Sequence, residues 1–466
     1  MSGVRITRSL FLKSLRSVLG SHNARFVSRA NNTVSLPQEI SEALESSEMK
    51  HRRHPGTRKN IQVSIPDKLL AAAMQVLATQ NIGQLREAAS ILRLQLWTKC
   101  LPTEDREIRD KAQALERQLL GDRLESMTPE ERSQIEDQVE QAVLKKLKEQ
   151  IPPWRPLNYD EFGSYAYLVG RLAADYATIR AVLAEIRHQN PAFAPRSLLD
   201  FGSGIGTSFW ATREFWPQEL QEYFAVDVSN DMNTLARLLV QGGNPNAEVK
   251  FRGYYQRQFL PATHKIKFDL VTSAFSLLEL PSTEHRLQTV ASLWGKTNSM
   301  LVLIENGTLE GHRAVLEARD FILTTTKKED PEGCGARVLA PCPHDQDCPR
   351  ETEGFGIPCN FQARYEEPLL LQKKKSARLN YSYVVLQRSG SLPAEHDWAR
   401  LVRPVLCRSG HVVCRVCCHD AKLREFVFTK ARHGRHVYRV ARCSEWGDQL
   451  PVSILPSTEE TTQESK

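Results

Sequence analysis

The chain has 466 residues, a formal charge of +7, 41% hydrophobic and 25% charged side chains, and ten cysteines. That length holds two or three domains with a sizeable core, and the balance is that of a soluble globular protein rather than a fibrous or disordered one. No apolar run approaches the roughly 20 residues that cross a bilayer, so no transmembrane helix and no membrane partner are expected.

Residues 1–32 carry Arg5, Arg8, Lys13, Arg16, Arg25 and Arg29 and no acid. With Ile6, Leu10, Leu12, Val18 and Leu19 spaced among these cations, the segment has the composition of a mitochondrial transit peptide, whereas a secretory signal needs a longer apolar core. A basic arm that binds RNA is the alternative. Removing the six charges takes the formal +7 to +1, so basicity elsewhere is judged locally.

Residues 33–65 read as a basic linker, on Lys50, Arg52, Arg53, Arg58 and Lys59 around Pro55 and Gly56. Residues 66–151 read as a helical accessory region. Leu69, Leu70, Met74 and Leu77, then Leu85, Ala88, Ala89, Leu92 and Leu96, recur at helical spacing, and Thr128-Pro-Glu-Glu131 is a capping-box start. The Pro152-Pro153 pair marks a boundary. Residues 159–188 are expected to form helices that cover a cofactor site, with Tyr165, Tyr167 and Tyr176 in the core rather than on the cofactor.

An α/β domain is predicted over residues 152–389, organised on the run Ser197-Leu-Leu-Asp-Phe-Gly-Ser-Gly-Ile-Gly-Thr207. Asp200 ends an apolar strand, and Gly202, Gly204 and Gly206 let the backbone turn sharply beneath a bound cofactor. The last two glycines are two residues apart where the dinucleotide fingerprint needs three, which favours S-adenosylmethionine. Asp227, twenty-one residues after Gly206, ends a second strand where such folds hold ribose hydroxyls. Further strands are read at 268–273, 299–305 and 381–386. The expected fold class is α/β, a Rossmann-like S-adenosylmethionine methyltransferase fold, with Asp200, Gly202, Gly204, Gly206 and Asp227 at the cofactor. An ordinary glycine turn with a solvated Asp227 is the plain alternative. After the fourth strand the chain reads Ser273-Ala-Phe-Ser-Leu-Leu-Glu-Leu-Pro281, without the Asn/Asp-Pro-Pro-aromatic turn that orients an amine for in-line methyl transfer. Glu279 reads as a helix-start carboxylate rather than a base, and no catalytic residue is assigned.

Nine of the ten cysteines fall between Cys334 and Cys443, and a reducing compartment keeps thiols free for metals rather than disulfides. Within an insertion at about 330–362, Cys342-Pro-His-Asp-Gln-Asp-Cys348-Pro sets two thiols each before a proline, and Cys359 follows. Proline stiffens the loop and holds soft ligands in place. Three thiolates need a fourth, and the Cys414, Cys417, Cys418 group is its natural source, Cys417 or Cys418 being favoured because a strand there gives way to a turn. Tetrahedral zinc and an iron-sulfur cluster both suit four thiolates; the long, irregular separations lean towards a cluster with distant corners, and unliganded buried cysteines are the third reading. Cys334 and Cys407 are spare candidates, while Cys100 and Cys443 are read as structural.

Residues 390–455 read as a small antiparallel β region, with strands at 411–417, 425–429 and 436–442. Between Ala421 and Arg442, seven cations (Lys422, Arg424, Lys430, Arg432, Arg435, Arg439, Arg442) face one acid, Glu425, and are interleaved with Phe426, Phe428 and Tyr438. That pattern reads as an RNA-binding surface with stacking faces, or more plainly as a solvated strand face. Lys373, Lys374, Lys375 and Arg378 add a second patch. Residues 456–466 are acidic and Thr-rich and read as a disordered tail.

Several of these motifs together carry a family resemblance. Leu-Leu-Asp-Phe-Gly-Ser-Gly at 198–204, Cys-Pro-His-Asp at 342–345 with Cys-Pro at 348, Cys359-Asn-Phe, and Arg-His-Gly-Arg at 432–435 before Ser-Glu-Trp-Gly-Asp at 444–448 resemble the mitochondrial methyltransferase-like protein 17 family. The likeness covers about residues 159–452. It implies a factor of the mitochondrial matrix that binds the immature small ribosomal subunit and its rRNA, assists assembly and so supports mitochondrial translation. It also implies an S-adenosylmethionine fold without methyl transfer, and a four-iron, four-sulfur (4Fe-4S) cluster on Cys342, Cys348, Cys359 and one of Cys417 or Cys418. An active S-adenosylmethionine-dependent rRNA methyltransferase of the same subunit is the alternative.

Overall fold

The apolar periodicities of the N-terminal third translate into helices, and the apolar runs of the middle third into a buried parallel sheet. The structure is a computed structural model that describes residues 33–58, 61–120, 129–151, 154–263, 265–329, 335–352, 356–369, 376–388 and 398–455. Residues 1–32, read as a transit peptide, Cys334, the Lys373–Lys375 patch and the acidic tail lie outside the described residues.

The stretch read as a linker contains Thr33–Ser35 (β1), Gln38–Glu45 (α1), a 3-10 turn at His51–Arg53 and Gln62–Val63 (β2). Arg58 accounts for its order. The guanidinium is buried 2.8 Å from Glu185 and lies 5.5 Å from the ring centres of both Phe361 and Tyr383, so a charge that reads as a solvated linker cation is instead a core anchor. The helices Asp67–Leu77 (α2), Ile82–Thr98 (α3), Asp105–Leu120 (α4) and Pro129–Gln150 (α5) follow. Residues 161–189 form one long helix, Glu161–Gln189 (α6), started by Asp160, whose carboxylate accepts from the Gly163 N–H at 2.7 Å. Its faces are nearly all buried because it packs against α3 on one side and the sheet on another.

The main sheet is laid down by Ser197–Phe201 (β3), Thr207–Phe215 (α7), Glu222–Val226 (β4), Asn230–Val240 (α8), Tyr254–Arg257 (β5), Phe268–Ala274 (β6), Thr283–Gly295 (α9), Thr297–Asn306 (β7) and Leu309–Glu329 (α10). Ala336–Ala340 (β8), the short helix Pro349–Thr352 (α11), Phe361–Glu366 (β9) and Ser376–Arg388 (β10) complete it. The strand order is β2-β9-β10-β7-β6-β3-β4-β5, with β8 pairing β10 off this path. Strands β3 to β7 pair in parallel, and β10 runs antiparallel to both β7 and β9. Helices cover both faces, so Leu199, Val271, Leu301 and Leu303 are fully buried in near-continuous apolar runs. The chain leaves β3 towards β4 on one side and later returns to β6 on the other. The carboxyl end of β3 is therefore the switch point where open α/β sheets form a ligand crevice.

A second body of packing holds Ala399–Leu401 (β11), Leu406–Cys407 (β12), His411–Cys417 (β13), Leu423–Thr429 (β14), Lys430–Cys443 (α12), Gln449–Leu450 (β15) and Ser453–Leu455 (β16). The order β12-β13-β11-β15, with β14 on β13, is antiparallel throughout, and β16 pairs with β1. Residues 436–442, expected as a strand, lie instead in α12. Val437, Tyr438, Val440 and Ala441 are the buried positions, a spacing that makes one helical face, and the Thr429 hydroxyl caps the start by accepting from the Arg432 N–H at 3.2 Å. Phe426, Phe428 and Tyr438 are buried in this core with Val412 and Val416, so the aromatics expected as stacking faces are spent on packing. Among the described residues no helix is long and apolar enough to cross a membrane.

Candidate functional site

The glycine turn closes over the carboxyl end of β3 as its spacing requires. Gly202, Gly204 and Gly206 have φ of 64°, 50° and 77°, a region only glycine enters at little cost. The Gly202 and Ser203 N–H groups donate to the Val226 carbonyl at 2.8 and 3.1 Å, and the Gly204 N–H donates to Asp227 Oδ2 at 2.8 Å. Asp227 Oδ1 accepts from the Ser229 N–H at 2.9 Å. Burial raises the Asp227 pKa, and the two backbone donors oppose the rise. A carboxylate keeps lone pairs to spare after two such bonds, so Asp227 can still accept from hydroxyls. Asp200 differs. Its carboxylate is buried and accepts from Tyr223 Oη at 3.0 Å and Thr272 Oγ1 at 2.7 Å, and burial pushes its pKa up to about 6. Asp200 therefore braces β3 against β4 and β6 from within the core.

Residues 154–160 cross this end of the sheet. Trp154 Nε1 donates to the Leu278 carbonyl at 3.2 Å, the Leu157 N–H donates to Glu279 Oε2 at 3.0 Å, and Ser229 Oγ donates to the Tyr159 carbonyl at 2.7 Å. Glu279 is also ion-paired with Lys99. Both interactions fall on Oε2, so the one carboxylate considered as a base is committed to holding the strap and α3 in place.

The cysteines meet elsewhere, where α10, the loop after β8, β9, β10 and the C-terminal sheet come together. Cys342, Cys348, Cys359 and Cys417 line one cavity, together with apolar side chains such as Val315, Leu316 and Val402 and with several cationic ones. Pro349 occupies the first position of α11, and the Glu351 and Thr352 N–H groups donate to the Cys348 carbonyl at 3.0 and 3.2 Å, so the Cys-Pro pair acts as a helix start. Ser382 Oγ donates to the Cys359 carbonyl at 2.8 Å. Burial raises the thiol pKa of Cys342 to about 11 and of Cys348 to about 12, and raises that of Cys417 well above its ordinary range. Negative charge on Cys342, Cys359, Cys348 and, least of these, Cys418 would push Cys417 further up. Cys418 is turned away into the C-terminal core with Cys414, as neighbours at a strand end point to opposite sides, and its field comes from Arg424 and Asp420. Cys407 and Cys443 are exposed, and Cys100 is half-buried in the loop after α3, outside the cavity wall. Among the described residues no group of three or more His, Cys, Asp or Glu side chains is placed to hold a single metal ion.

Three arginines that the sequence reading did not select share this wall: Arg319, Arg350 and Arg400. Arg319 Nη2 donates to the carbonyls of His344 and Gln346 at 3.2 and 2.6 Å, fixing the loop between the first two thiols. Arg400 Nε donates to the Pro341 carbonyl at 2.9 Å, and Arg400 Nη2 pairs with Glu185 at 2.6 Å. Among the described residues Arg350 is buried with Nε and Nη2 unpartnered, and Arg319 Nε is unpartnered as well. Buried cationic donors without acceptors cost free energy. The wall thus fits an anionic occupant, which is what four thiolates holding iron and sulfide, or zinc, would amount to. His344 Nε2 lies 3.3 Å from Cys417 Sγ. Only Arg350, next to the second Cys-Pro, and His344, inside the motif, carried a hint in sequence.

Comparison with known proteins places the chain. Residues 161–451, which span the glycine turn and the four cavity thiols, match the family described as mitochondrial small ribosomal subunit Rsm22. The human mitochondrial ribosome assembly protein METTL17 is 39% identical over 419 residues, 89% of this chain and 90% of its own length. The mitochondrial ribosome assembly protein RSM22 of Saccharomyces cerevisiae is 22% identical over 41% of this chain and 45% of its own. Among solved structures, the magnesium protoporphyrin IX methyltransferase of Synechocystis with bound S-adenosylmethionine is similar over 46% of this chain and 79% of its own, with a TM-score of 0.30 and 13% identity, a likeness too slight to bear on chemistry. On the extent of the family match and of the human likeness, the chain belongs to the mitochondrial small ribosomal subunit Rsm22 family.

Proposed function

We propose that the chain is an assembly factor of the mitochondrial matrix that binds the immature small ribosomal subunit and its rRNA, using a methyltransferase-like fold for binding rather than methyl transfer. In this reading Cys342, Cys348, Cys359 and Cys417 hold a 4Fe-4S cluster. The observation that carries it is the meeting of four thiols from three separated stretches on one cavity that also holds unpartnered buried arginine donors. The long, irregular separations of Cys342, Cys348, Cys359 and Cys417 along the chain suit a cluster with separated corners better than zinc, which favours short paired spacings. When bound, the cluster supplies an anionic cross-link. The chain's own residues do the rest: Arg319 shapes the 342–348 loop, Arg400 ties that loop to the C-terminal sheet, and Ser382 holds Cys359. The ribosomal role rests on the names and extent of the relatives.

Protein purified without oxygen is expected to be brown and to contain iron and acid-labile sulfide, and Cys342→Ser to lose both and to leave small-subunit precursors unprocessed on sucrose gradients. Stoichiometric zinc without iron would sink the cluster assignment. The intact glycine turn and the spare acceptor capacity of Asp227 favour a second reading, an active S-adenosylmethionine-dependent rRNA methyltransferase. Mapping methylated nucleotides after replacing Gly204 and Asp227 separates the two: methylation lost while subunits still assemble would establish the second reading and remove the first.

A further inference from the structure

Residues 51–53 and α12 are joined in space across 385 positions of sequence. The His51 ring lies over that of His436 with centres 5.3 Å apart and planes within 9°, and His51 Nε2 is 3.2 Å from His436 Nδ1. Around this pair stand Arg52 and Arg53, exposed on the turn, and Arg435 and Arg439 on α12, the first exposed and the second half-buried. Arg435 and Arg439 are four residues apart and share one face of the helix. Among the described residues none of these four guanidiniums has a carboxylate partner, in contrast to Arg58, Arg93, Arg171, Arg180, Arg286, Arg400, Arg415 and Arg424. The crowding is felt locally: burial, then His436, Arg439 and Arg435, holds the His51 pKa below its ordinary value. Gly434 breaks α12 beside the pair with φ of 79°, and a side chain added there would meet nothing within 4 Å, so bare backbone is open to close approach.

Like charges gathered without counter-charges lower stability, so the cluster calls for an external anion. An acidic protein would be expected to find an apolar anchor at the centre of its contact, but Val437, Tyr438 and Val440 on α12 all face the core. What the surface offers is guanidinium forks and imidazoles alone, the donor set that holds phosphate oxygens. We propose that the turn at His51–Arg53 and the second half of α12 form one surface that grips the sugar-phosphate backbone of folded RNA, with the four arginines neutralising phosphates on either side of the stacked histidines. This rests on the reading that the protein works on ribosomal RNA, and adds the surface and the part of the RNA that it holds.

The test uses the full chain purified without oxygen and a fluorescently labelled hairpin of small-subunit rRNA, with affinity measured across a salt series. Arg52→Glu and Arg435→Glu should each weaken binding about tenfold or more at low salt and reduce the slope of log affinity against log salt by about 1. Lys111→Glu, the same charge change on α4, should do neither. Arg435→Gln, read alongside melting temperature, separates lost contact from lost fold. Wild-type affinity and slope in both reversal variants would overturn the surface while leaving the ribosomal role standing. A wild-type chain that binds no hairpin yet sediments with small subunits would identify a protein dock and overturn the surface as well. Failure of the wild type in both assays would remove the proposed function itself.

Discussion

Arg350 sits in the wall of the thiol-lined cavity with two nitrogens unpartnered, and the sign of its effect depends on what the cavity holds. With neutral thiols and no occupant, each unmade buried bond costs about 1–3 kcal/mol; with an anionic centre the same nitrogens become donors to it. Arg350→Met is therefore expected to raise the stability of metal-free protein by about 1–3 kcal/mol in denaturant titrations, and to speed loss of visible absorbance when loaded protein meets oxygen. Stability and retention moving in the same direction would show that Arg350 has no dealings with the occupant. The neighbouring cysteines follow the same logic. Cys342-Pro and Cys348-Pro were legible because a repeated dipeptide is a sequence object, whereas the choice between Cys417 and Cys418 depends on which face of a strand end each occupies, and adjacent positions look alike in a string.

Within the glycine turn two positions make different demands. A Cβ on Gly202 would lie 2.4 Å from Ser276 Cβ at φ of 64°, whereas one on Gly204 would meet nothing within 4 Å at φ of 50°. Gly204→Ala should then cost only the left-handed backbone penalty of about 1–2 kcal/mol, and Gly202→Ala should exceed it by about 1–3 kcal/mol of overpacking, with Ser276→Gly recovering the excess. Denaturant midpoints for the three single variants and the Gly202/Ser276 double check both parts. The turn, β3, β4, β6 and β7 were legible because glycine spacing and short, mostly apolar runs leave few alternatives. Helix α12 was not. His436-Val-Tyr-Arg-Val-Ala-Arg alternates well enough over seven residues to pass for a strand, and only the packing of Val437, Tyr438, Val440 and Ala441 against β13 and β14 selects the helical period.

Across the whole molecule, Glu185 ties together parts that the sequence separates widely. Its carboxylate lies 2.6 Å from Arg400 of β11 and 2.8 Å from Arg58 of the N-terminal segment, and accepts a hydrogen bond from Tyr383 of β10. Burial alone would raise its pKa, but Arg400 and Arg58 outweigh burial and hold it below the ordinary value. Glu185→Gln would leave two buried guanidiniums facing a neutral amide, at a cost of about 3–5 kcal/mol. Because Arg400 also holds the Pro341 carbonyl beside Cys342, the variant should expose residues 51–58 and the 342–348 loop to hydrogen exchange together; protection lost at one and kept at the other would show that they are not coupled through Glu185.

The chain by itself determined what depends on neighbours along it: the helical N-terminal region, the parallel strands and their glycine turn, the carboxylate ending β4, and three thiols close to prolines. Tertiary structure alone decided what depends on faces and partners. It turned Arg58 from a solvated cation into a core ion pair, put Asp200 inside the sheet, committed Glu279 to Lys99 and Leu157, brought Cys417 rather than Cys418 to the cavity, and set His51 against His436. The physical reason is one of range. Backbone conformation and apolar period are fixed over a few residues, while burial of a charge or convergence of thiols is settled only when distant segments compete for the same interior space.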